Sequence, residues 1–313
     1  MTGGKIGKSL RWNAFLAMVR YELLWNIRKK KFLGMLIVAF VLATLSLFIP
    51  VILSNVMNEP LEPNANYVIE TGSGLGGFGF LLFAIVTAMN SISGEFESGS
   101  IVPLLTKPIS RTMVFFGKVV AGFLILLVTY VVLVIYMAVG GTIIYGAQNN
   151  LHLFPLYLVG SLLSTFVWIS ITLALGALSK SSVLAALGTF GVWMGANIIT
   201  GIVSLVTEQA WILSYVAGGG ATGFASDIGS QTPAIPIMGR AIATGTDQIG
   251  TNLINYVLYP SADVDFYKGF IGTLVYSESL GVILLRSVLV AAVYICVFSF
   301  VAWFAFKRTE IKE

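Results

Sequence analysis

Residues 32–56 read FLGMLIVAFVLATLSLFIPVILSNV, and not one of them is charged. An α-helix rises about 1.5 Å per residue, so roughly 20 such residues cross the ~30 Å hydrocarbon core of a bilayer. Five more stretches pass the same test: Leu75–Ile92, Met113–Tyr136, Leu153–Leu178, Val183–Val206 and Leu280–Phe306. The fold class expected is all-α, a polytopic membrane protein of about six transmembrane helices. No repeat, linker or shift in composition marks a second domain, so residues 1–313 read as one transmembrane domain.

Composition points the same way. The 313 residues are 57% hydrophobic and only 10% charged, where a soluble domain carries about 25% charged residues. Too few charges remain to cover a water-facing surface, and lipid must cover the rest. The basic excess of +4 is placed as a membrane protein places it, and implies no nucleic acid. Fifteen of the 18 Lys and Arg residues fall on one side of the predicted spans: Lys5 to Lys31 before the first, Lys107, Arg111 and Lys118 around the third, Lys180, and Lys307 to Lys312 at the end. Inner loops carry such a bias, so the chain is expected in the cell membrane, multi-pass, with both termini cytoplasmic. The N-terminus is basic with no short apolar core and cleavage site, so an uncleaved start is expected.

Residues 10–31 have helical spacing. Trp12, Phe15, Leu16, Val19, Leu23 and Ile27 recur at three- and four-residue steps, with Arg11, Arg20 and Arg28–Lys31 beside them. The pattern predicts a helix lying along the membrane interface; a helix packed on another subunit is the alternative. The stretch 207–279 is too polar and Gly-rich for an ordinary span. It is expected outside the cytoplasm, with WILSYVAGG and PAIPIMG able to dip into the interface.

Catalytic chemistry is hard to find. Gly7-Lys8-Ser9 imitates the tail of a phosphate-binding loop, but the position that needs glycine is Thr2 and no strand precedes it. One cysteine, Cys296, and one histidine, His152, exclude an internal disulfide and Cys- or His-pair metal sites. No metal, cofactor or catalytic pair is expected on this chain. The predicted spans carry almost no ionisable group, which speaks against proton- or sodium-coupled transport. Apart from Lys118 at the inner end of the third span, the exception is Arg286, two turns in from the outer end of the last span. It reads as an interface anchor or as an outer-mouth residue on a substrate path.

One loop stands out. Residues 92–111, ISGEFESGSIVPLLTKPISR, join the second and third spans. Glu95 and Glu97 suit a helix start, Phe96, Ile101, Leu104 and Leu105 make an apolar knob, and Arg111 and Lys118 lead into the next span. Such a knob needs a groove to fill, in a cytosolic partner or among the protein's own inner helices.

The sequence of an isoleucine shortly before a glutamate, a Gly-Ser step, Leu104-Leu105-Thr106-Lys107-Pro108-Ile109-Ser110-Arg111 and a downstream Gly117-Lys118 resembles permease subunits of ABC-2 type transporters, most closely the NosY-like branch. The resemblance implies two paired membrane domains, identical or homologous, above two ABC ATPase subunits that hold the ATP and magnesium. It makes residues 94–111 a coupling helix, with Glu95 at the family's acidic position. Residues 10–31 become an elbow helix, and Ser179–Ser182 a smaller second coupling contact. The function implied is export of a hydrophobic or amphipathic molecule, with this chain not itself an enzyme. An ATP-independent carrier or channel and a structural membrane anchor are the rival readings.

Overall fold

The computed structural model describes residues 3–28, 30–58, 60–61, 63–72, 76–97, 110–206, 210–225, 228, 240–267 and 274–308. Six helical stretches among them are long and apolar enough to cross a membrane: Phe32–Met57, Gly76–Glu97, Arg111–Tyr145, Leu151–Ser179, Ser182–Val203 and Leu280–Arg308. Helix α1 (Gly3–Arg28) precedes them. Lys30, in the left-handed region at φ 56°, breaks the chain before α2 (Lys31–Met57). A short α3 (Tyr67–Thr71) leads to α4 (Gly76–Ala88), α5 (Ser93–Glu97) and α6 (Arg111–Tyr145). Then come α7 (Phe154–Ser179), α8 (Ser182–Val206), α9 (Ile249–Leu258) and α10 (Leu280–Arg308).

Helix α7 is the axis of the bundle. Helices α4, α8, α9 and α10 all pack on it, and 72% of its most apolar window is buried, against 17% for α2, α8 and α10. Its sequence explains the position. Gly160, Ser161, Ser164, Thr165, Ser170, Thr172 and Gly176 are small and buried, which lets neighbouring backbones come close where lipid gives helices little hydrophobic reason to associate. A Cβ on Gly160 would lie 2.4 Å from the Cα of Gly250 in α9, so these two helices touch backbone to backbone. Thr165 and Thr172 donate to the carbonyls one turn back (2.8 and 2.7 Å), which hides their hydroxyls.

Helix α6 outruns its expected end at Tyr136 by nine residues. The Gly140-Gly141 pair in this extension serves packing. A Cβ at Gly141 would come within 2.0 Å of Val68 Cγ2 in α3, and Tyr145 closes the helix by donating to the Leu47 carbonyl (2.7 Å).

The stretch between α8 and α10 builds a small sheet. Strands β1 (Thr222–Ala225), β2 (Arg240–Ala243), β3 (Asp263–Tyr267) and β4 (Leu274–Ser279) form an antiparallel sheet in the order β2-β1-β3-β4. Its core of Leu213, Ala225, Ile242, Val264 and Phe266 continues into Leu280 and Ile283, the first turn of α10. Of the two segments expected to dip into the interface, Trp211–Tyr215 belongs to a 3-10 turn with Trp211 and Tyr215 exposed. Pro233–Gly239 lies outside the described residues.

Candidate coupling site

Lys118, one turn past the start of α6's buried face, carries a charge into the packed bundle. Its Nζ stands 2.7 Å from Glu22 of α1 and 2.6 Å from Glu95 of α5, with all three side chains at most 16% exposed. One ammonium thus serves two carboxylates. Burying ions costs several kcal/mol each unless partners compensate, so a triad of this kind holds α1, α5 and α6 in one arrangement. The second Glu95 oxygen, Oε2, is buried and has no hydrogen-bond partner among the described residues.

Glu97 faces the other way. Its carboxylate accepts from the Ser182 backbone N–H (2.7 Å) and from the Ser182 hydroxyl (2.8 Å). Orphan N–H groups at a helix start, and the positive end of the helix dipole, favour a carboxylate there. Ser93 and Ser182 also meet through their hydroxyls at 3.1 Å. The turn at 179–182, where Lys180 takes φ 55°, is therefore fastened to α5.

Phe96 packs edge-on against Phe306 of α10 (6.3 Å), which also meets Phe115 of α6 (6.4 Å), and Lys180 lies over the Phe96 ring at 5.9 Å. Arg111 donates to the Lys307 carbonyl (3.2 Å), tying the start of α6 to the end of α10. Of the sequence-predicted coupling residues, Glu95, Phe96 and Arg111 thus come together at one end of the bundle, each engaged with the protein's own helices. Ile101, Leu104 and Leu105 lie outside the described residues. On α1 the buried stripe is Met18, Val19 and Glu22, while Trp12, Leu16 and Ile27 are exposed. Gly117 of α6 admits Met18 closely and Lys118 draws in Glu22, so the helix docks through this stripe and leaves Trp12, Leu16 and Ile27 of the apolar spacing facing outward. Gly7-Lys8-Ser9 is helical, within α1.

Arg286 lies in the second turn of α10. It grips Glu278 of β4 with two hydrogen bonds (2.8 and 2.6 Å) and lies 5.9 Å above the Tyr215 ring. A planar guanidinium suits such a two-point grip, and here it clamps α10 to the sheet.

Sequence reasoning missed Asp247. Two loop tips, 218–221 and 244–247, enter the bundle together. Gly218 accepts from the Asp247 N–H (3.1 Å), Ser164 of α7 donates to the Thr246 carbonyl (2.6 Å) and Ser287 of α10 to that of Thr244 (2.8 Å). The Asp247 carboxylate, 3% exposed, accepts from the Trp168 indole N–H at 2.8 Å. Trp168 is the fifteenth residue of α7, about 20 Å along the axis from the helix start. The scarcity of ionisable groups in the predicted spans does not leave the packed interior without them, because the segment between α8 and α10 brings in Asp247. Burial pushes the Asp247 carboxyl up to about 7, with the Trp168 hydrogen bond opposing. Gly77 makes room for it, since a Cβ there would fall 2.6 Å from Asp247 Oδ2. The pairing of Gly77 with a distant aspartate leaves no trace in a single sequence. Among the described residues no group of three or more His, Cys, Asp and Glu is placed to hold a metal ion.

A sequence model of the ABC-2 family transporter protein matches residues 16–311, nearly the whole chain. This chain belongs to the ABC-2 transporter family. The match is to the family as a whole and distinguishes no branch within it. No curated protein sequence matches the chain. Family membership makes this ABC-2 protein the membrane component of an ABC transporter, an assembly that works with ABC ATPases.

Proposed function

We propose that this ABC-2 protein is the permease subunit of an exporter that moves a hydrophobic or amphipathic molecule with ATP hydrolysed on separate subunits. The observation that carries the reading is α5. It is bonded through buried or capping polar groups to α1, α6 and α8, at the end of the bundle where the Lys and Arg residues gather. That end faces the cytoplasm, both termini with it, and two ATPase subunits dock against it, beneath this chain and a second membrane domain, identical or homologous.

The mechanism follows from the connections. A load on α5 and on residues 98–109 passes through Lys118 into α6 and α1, and through Glu97 and Ser182 into α8. Packed helices answer such loads by small rigid shifts. The ATPase needs only to bind two arrangements of this platform with unequal affinity. ATP and magnesium belong to the partner, and this chain binds no cofactor and performs no hydrolysis. The predominantly apolar spans suit a lipid-like molecule, peptide or drug.

Glu95→Arg places a second cation beside Lys118, and Leu104→Asp puts a charge on the apolar knob. Each should abolish substrate-stimulated ATPase activity in the copurified complex while the membrane subunit still folds. Variants that retain full stimulated turnover and export would overturn the coupling role. An assembly that forms normally but never turns over ATP would mark the chain as a tether instead.

A further inference from the structure

The outward side of α1 carries a shallow, open groove of about 450 Å³ between its own side chains, lined by Leu16, Ala17, Arg20, Tyr21 and Leu24. Its walls are apolar apart from one guanidinium and one phenol. Arg20 is exposed, and no hydrogen bond or ion pair engages it among the described residues. Leu16, Tyr21 and Leu24 are 48%, 53% and 43% exposed. Tyr21 stacks on the exposed Trp25 at 6.1 Å, and Arg28 and Lys30 continue the positive charge toward α2.

We infer that this groove binds one anionic phospholipid of the inner leaflet, with its phosphate on Arg20 and an acyl chain along Leu16 and Leu24. The inference rests on the proposed cytoplasmic placement of the basic end. Charge complementarity selects the occupant. A cation between two leucines, without an ion-pair partner among the described residues, matches a molecule with an anion at one end and hydrocarbon at the other. The Tyr21–Trp25 pair suits the headgroup boundary, where aromatic side chains of mixed polarity collect. Each basic residue near an anionic surface contributes about 1 kcal/mol of attraction, close to fivefold in affinity.

Native mass spectrometry of the full-length protein in detergent provides the test, with phosphatidylglycerol and phosphatidylcholine of identical chains as probes. Wild type should retain phosphatidylglycerol with about a fivefold preference. Arg20→Gln should bring the two lipids to parity, whereas Arg28→Gln, which removes the same charge outside the groove, should keep the preference. Leu24→Trp fills the groove and should reduce retention of both lipids, which guards against an Arg20 variant that merely folds poorly. Equal retention by wild type, or a preference that survives Arg20→Gln, overturns the site. Displacement by inorganic phosphate or glycerophosphoglycerol would make it a phosphate site and also overturn the lipid reading. If Arg20→Gln instead releases the ATPase and wild type shows no lipid preference, the groove belongs to a protein partner. A negative lipid result with ATPase copurification intact leaves the exporter reading standing.

Discussion

The two ends of the bundle are built with different chemistry. At the basic end, full charges do the fastening: Lys118 between Glu22 and Glu95, and Glu97 on the start of α8. The sheet end has ion pairs of its own, Arg286–Glu278 and Arg240–Glu70, but around the inserted loop tips hydroxyls and backbone groups dominate, with Ser164, Ser214, Ser287 and Thr246 bonded to the chain there. Ion pairs out of water resist partial opening, because a half-opened pair leaves a stranded charge. Neutral hydrogen bonds contribute about 1 kcal/mol each and can be exchanged one at a time. The basic end is thus suited to transmit force as a unit, and the loop tips at the sheet end to rearrange.

Breaking the stiffest link should have the largest effect. Lys118→Met strands two buried carboxylates and should cost about 3–5 kcal/mol, seen as a large fall in thermal midpoint in detergent. The triple change Glu22→Gln, Lys118→Met, Glu95→Gln removes the charges together and should recover much of that loss while leaving coupling defective. If Lys118→Met alone melts like wild type, the ionic end is not the rigid one.

The sheet end should be the pH-sensitive one. The folded-state pKa of Asp247 is raised from 3.8 to about 7, so the fold favours its protonated form. Its contribution to stability is fully present below about pH 4 and is lost as pH rises through about 7. Melting should therefore fall between pH 5 and pH 8 by the equivalent of a few kcal/mol. Asp247→Asn should flatten that dependence and melt above wild type at pH 8. A wild-type profile that is flat across this range breaks the contrast.

A smaller loss, about 1–3 kcal/mol for overpacking, is expected from Gly160→Val, which wedges α9 away from α7. It should show as faster hydrogen exchange in residues 249–258, with the Lys118 triad unaffected. Glu97→Gln keeps the shape and removes the charge. Its effect should be confined to faster exchange of the Ser182 amide and weaker stimulation of the ATPase.

Much of this architecture is legible in the sequence because lipid imposes a coarse rule: about 20 apolar residues make a span. Phe32–Val56 against the observed Phe32–Met57 illustrates how tightly that rule binds. The loop around Glu95 is legible as unusual for a related reason, since it is too apolar to hang in water. What escapes is pairing. Lys118 reads as an anchor at the end of a span, and only the fold brings Glu22 and Glu95, 96 and 23 residues away, to its ammonium. Asp247 reads as one more acid in a polar segment. Strands of four to six residues are too short for alternation to emerge from a Gly-rich background, so the sheet has no signature either.

The central place of α7 sets a schedule for assembly. Most of its contact surface is supplied by α8, α9 and α10, all synthesised after it. On release from the translocon, α7 has only α4 among its principal neighbours, and its serines and threonines must wait in lipid, or beside a chaperone, for the last helix to arrive. The keystone enters the membrane before the arch it will lock.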